Sequence, residues 1–170
     1  MSHVENKLNW CLKKAETELG QDKKHRGLIE VQPDSELAYQ HIRKAEHNLK
    51  AIDYFARGEF SDWSISAAFY TIYHCFLALL AKYGYESRNQ ECTIAAIEYL
   101  SEKKRIVLDQ KFIRALKQYD ESEHAETTII ELREQLQYGI NLKSETTQLH
   151  KTKQLCKEAI NAARELLAER

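Results

Sequence analysis

The stretch from Ile65 to Tyr85, ISAAFYTIYHCFLALLAKYGY, restricts the fold more than any other. From Ile65 to Ala81 almost every residue is apolar or aromatic, so at helical pitch the segment is apolar nearly all round. Such a helix must be buried on all sides or lie in lipid. Its roughly 17 residues only reach the lower limit of a bilayer span. Ser66, Thr71 and His74 interrupt it, no second segment of this kind accompanies it, and amphipathic stretches flank it on both sides. The expectation is the central helix of a bundle, with a face left over for a second subunit and no membrane.

The flanking sequence supports this. One proline and five glycines in 170 residues leave too few turn residues for a sheet fold, so long helices joined by few loops are expected. Val4, Leu8, Cys11, Leu12, Ala15 and Leu19 share one face of a first helix. QDKKHRGLIEVQP reads as a loop, and residues 1–33 as an N-terminal extension to a bundle over residues 34–170. Asp34 or Ser35 caps a second helix, with a stripe through Leu37, Ile42, Ala45, Leu49 and Ile52, and Ser61 or Asp62 caps the apolar one. Further helices are expected over Thr93–Leu100 and Ile106–Tyr119, then from Asp120 (box partner Glu123) through Ile140, and from Ser144 towards Arg170. No strand-like alternation of useful length appears. The fold class is all-α: an up-and-down bundle of four to five core helices plus a short N-terminal helix.

A net charge of −1 gives no basic footprint of an avid nucleic-acid binder. Cys11, Cys75, Cys92 and Cys156 form no C-x-x-C pair and read as core thiols of a reducing compartment. His41 and His47 fall on different helix faces, and His124 and His150 have no acidic or thiol neighbours at ligand spacing, so neither a metal nor another cofactor is expected. The N-terminus lacks an apolar signal region, which makes the cytoplasm the expected location.

Several of these segments together resemble the HEPN (higher eukaryotes and prokaryotes nucleotide-binding) family. They are KAEHNL in the second helix, AAFYTIYH in the third, the turn GYE, and ELREQLQYGI in a later helix. The resemblance implies a dimerising bundle. Members include metal-independent ribonuclease toxins, partners of minimal nucleotidyltransferases in toxin–antitoxin pairs, and non-catalytic binding modules. Catalytic members carry an arginine, then four to six residues, then a histidine. Arginine steadies phosphate charge with its fork of donors, and histidine moves a proton near neutral pH.

Arg133 fits the arginine position, but Tyr138 stands where the histidine could be. A phenol with an ordinary pKa near 10 accepts protons poorly at pH 7. Glu134 sets a carboxylate beside the arginine and would repel RNA phosphate. Ile140 stands where some toxins carry a nucleotide-accepting tyrosine. The candidate site is therefore Arg133 and Tyr138 with His74 as a substitute base, and Tyr70, Tyr73 and Glu134 lining the cleft. Three functions stay open: a non-catalytic or weakly active homodimer that partners a minimal nucleotidyltransferase, a metal-independent ribonuclease acting on RNA, or a purely structural interaction module. The first is favoured because the histidine is missing.

Overall fold

The structure, a computed structural model, describes residues 2–117 and 127–169. In chain order these form α1 (His3–Leu19), β1 (Leu28–Glu30), α2 (Ser35–Arg57), α3 (Ser61–Lys82), β2 (Tyr85–Ser87), α4 (Gln90–Glu102), α5 (Gln110–Ala115), α6 (Ile129–Tyr138) and α7 (Thr146–Ala168). The all-α bundle is confirmed. The expected Asp120–Glu123 capping box, Tyr119 and His124 lie outside the described residues.

The centre of the bundle is α3. Its Ile65, Phe69, Ile72, Phe76, Leu79 and Leu80 are all essentially inaccessible, and it packs against α2, α7, α6 and α4. Among the described residues α3 is the one helix long and apolar enough to cross a membrane, but 78% of its most apolar window is already covered by the protein itself. Burial by its neighbours accounts for its composition. Each fully buried Leu, Ile or Phe side chain stabilises the fold by about 1.5–3 kcal/mol.

A short turn folds α3 back along α2, so residues equidistant from Arg57–Gly58 face each other. Asp34 N–H donates to the Ala81 carbonyl at 2.9 Å. Midway along, His41 meets His74. Near the turn, the buried Ser64 hydroxyl donates to the Ile52 carbonyl at 2.9 Å. The Asp34 carboxylate caps α2 through Leu37 N–H at 2.9 Å, as the sequence indicates.

Other local expectations need correction. LIE and YES, read as loop and turn, pair as a small antiparallel sheet with Leu28 opposite Ser87 and Glu30 opposite Tyr85. Three-residue strands are too short to show alternation. Gly84, between α3 and β2, has φ +79°, and a Cβ there would come within 2.7 Å of the Val31 carbonyl oxygen. Asn89 caps α4 by accepting from Cys92 N–H at 3.0 Å. The expected 106–119 helix is cut to the short α5, begun by Asp109, while Ile106 and Leu108 are buried in the approach to it. Thr128 and Glu131 form the capping box of α6. Ser144 does not cap α7. Its N–H donates instead to Ser61 Oγ at 2.9 Å.

The cysteines are not all thiols. Cys11 of α1 and Cys92 of α4 are both fully buried and joined as a disulfide, with Cα atoms 5.6 Å apart. The bond and the buried Leu8 and Ala15 dock α1 on its own bundle, against α4 and β1. Cys75 and Cys156 are buried free thiols.

Candidate functional site

Along the otherwise buried α3, Trp63 and Tyr70 are 52% and 46% exposed, and Tyr73, His74 and Leu77 are half-buried. These residues form a single stripe that α2 and α6 leave uncovered. Two clusters of polar chemistry border it.

On the α6 side, the Arg133 guanidinium lies over the Phe69 ring, 4.1 Å from its centroid. Phe69 in turn stacks on Tyr73 at 5.9 Å and meets Tyr70 edge-on at 5.2 Å. Gln137 fixes the register of α6 by donating to Ser66 Oγ at 3.0 Å. The Arg133 Nε is buried and finds no hydrogen-bond partner among the described residues. The guanidinium is thus a half-buried cation on an aromatic face with one donor unsatisfied.

On the α2 side, His74 Nδ1 lies 3.0 Å from His41 Nδ1. Only one ring can donate across that contact, so the two rings take complementary donor and acceptor roles there. Burial, then the neighbouring His41 and Lys44 charges, push His74 down to about 4. Burial also lowers His41. Beside this pair a pocket of about 270 Å³ is lined by Val31, Asp34, Leu37, His41, Leu77 and Tyr85, among others.

The structure thus gathers Arg133, Tyr70 and Tyr73 around Phe69, while His74, paired with His41 of α2, meets the Tyr73 ring edge-on at 6.4 Å. Tyr138 is 85% exposed at the end of α6, about 140° round its helix from Arg133. It does not join the cluster. Glu134 is half-buried at the next position round α6 from Arg133.

Three contributors escape the sequence reading. Phe69 gives no signal beyond apolarity. His41 could have been found by pairing residues equidistant from the α2–α3 turn. Thr93 could not. Its hydroxyl lies 3.2 Å from Tyr73 Oη and donates to Ser87 Oγ at 2.8 Å, joining the groove to β2. Among the described residues no three His, Cys, Asp or Glu side chains gather as they would to hold a metal ion.

Comparison with curated proteins and with solved structures finds no match. The HEPN domain family model covers residues 38–169, which takes in the bundle from α2 onward and leaves out α1 and β1. With more than three-quarters of its length matched, the chain belongs to the HEPN domain family, a family of nucleotide-binding or RNase-like modules.

Proposed function

We propose that this chain is a dimeric HEPN module that partners a minimal nucleotidyltransferase in a toxin–antitoxin-type system, with Arg133 binding a nucleotide or RNA phosphate and little or no cleavage following. The observation that carries this is the Arg133 guanidinium, seated on Phe69 with its Nε unsatisfied. An enzyme of the arginine–histidine type would also need a proton acceptor beside that cation. Tyr138 points elsewhere and His74, held near 4, is a weak base at neutral pH. The exposed Trp63 and Tyr70 of α3, and Ile140 and Leu142 after α6, support a dimer by offering apolar surface.

A second reading, a metal-independent ribonuclease, is favoured by one observation. The His41–His74 pair sets a donor and an acceptor nitrogen beside the same groove. RNA cleavage in EDTA by wild type, Arg133→Ala and Tyr138→Phe separates the two, with nucleotide binding measured on the same samples. Binding that Arg133→Ala weakens, without cleavage, supports the module. Cleavage lost in Arg133→Ala supports the ribonuclease. Neither binding nor cleavage leaves a structural module. Complex formation with a minimal nucleotidyltransferase on size exclusion tests the partner, and sedimentation mass tests the dimer.

A further inference from the structure

We propose that the Cys11–Cys92 disulfide is a redox clip that decides whether α1 stays docked on the HEPN core. This helix lies outside the matched domain, so the bond ties an appended segment to the core across 81 positions of sequence. Without it the hold is slight. Only Leu8, Cys11 and Ala15 of α1 are buried. The Glu5–Lys103 and Lys7–Glu91 ion pairs lie at the surface, where such pairs contribute little. The connection to β1 presses close at one point: a Cβ on Gly27 would come within 2.4 Å of the Cys11 carbonyl oxygen. β1 is held independently, by Leu28 in the core and by its pairing with β2.

The chemistry needs a dithiol reductant. One of its thiolates attacks a cysteine sulfur, the Cys11–Cys92 bond breaks as a mixed disulfide forms, and the displaced thiolate takes up a proton. The reductant's second thiol then closes its own disulfide and releases the other cysteine as a thiol. Both sulfurs are fully buried, so attack waits for α1 to open. Cys75 and Cys156 do not compete. They sit inside the α3–α7 contact, and burial pushes the Cys75 thiol up to about 12 and raises Cys156 as well.

Release of the clip leaves the β1–β2 pair in place. β1 is the strand paired with β2, and Tyr85, Glu86 and Ser87 of β2 line the pocket beside His41. Ser87 also anchors the Thr93–Tyr73 chain.

The test compares the full chain oxidised with glutathione disulfide and the same chain reduced with dithiothreitol, by amide hydrogen exchange and by mass-resolved alkylation. On reduction, exchange in α1 should quicken by about tenfold or more while β1, α2 and α3 stay within about twofold. Cys11 and Cys92 should alkylate before Cys75 and Cys156. A Cys11→Ala, Cys92→Ala double variant should exchange like the reduced protein in both conditions. Equal protection of α1 in the two redox states, or four free thiols after oxidation, overturns the proposal. So does a double variant as protected as the oxidised wild type.

Discussion

Acidification should weaken this fold through His74, whose folded pKa of about 4 lies below the ordinary 6.5 of an unfolded chain. Between those values the unfolded chain binds the extra proton, so stability rises with pH. The contribution is whole above pH 6.5, declines as the pH falls through 6.5, and is gone below about 4. Linkage over that interval amounts to roughly 3 kcal/mol, of which about 2 would be lost by pH 5. His74 is only half-buried, and solvent screening reduces the loss at pH 5 to about 1 kcal/mol. The groups facing it are His41, whose own pKa burial lowers, and Lys44, and the charge of each disfavours protonation of His74. Urea unfolding from pH 7.5 to pH 5, wild type beside His74→Asn, reads the effect. Asparagine keeps a polar group near His41 Nδ1 but does not titrate. Wild type should lose about 1 kcal/mol more than the variant across that range, or some 2–4 °C in Tm for a chain of this size. Parallel curves would refute the assignment, because the acid sensitivity would then belong to other groups.

Other substitutions probe the site and its supports. Phe69→Leu should cost about 1–2 kcal/mol in urea unfolding and weaken phosphate binding several-fold, because Arg133 loses its platform. Gly84→Ala places a side chain at φ +79° and against the Val31 carbonyl, so thermal unfolding should show a loss of more than about 1 kcal/mol. Asn89→Ala removes the cap of α4 and should cost about 1 kcal/mol by the same measurement.

The apolar run of α3 is legible because a helix without a polar side has few homes. The α2 cap is legible because Asp34 lies immediately before an amphipathic stripe and needs no distant partner. Elements whose existence depends on remote residues are not. β1 and β2 are three residues each, and neither has a strand's pattern alone; they exist because the end of α3 returns the chain beside residues 28–30. Cys11 reads as the apolar face of a helix, which it is, yet its bond with Cys92 requires α1 to be docked on α4.

The candidate site divides along the same line. Arg133 is legible through its segment's resemblance to the HEPN family, and Tyr70 and Tyr73 through their place in the apolar helix. That Arg133 rests on Phe69, that His74 faces His41 and that Tyr138 faces solvent follow from the rotation and register of α6 and α2 on α3. Sequence by itself determined the long helices α1, α2, α3 and α7 and which of them lies at the centre, since local hydrogen bonding and apolar periodicity operate within a few residues. Tertiary structure alone decided the disulfide, the histidine pair and the unsatisfied arginine, since each depends on contacts between helices that no local periodicity encodes.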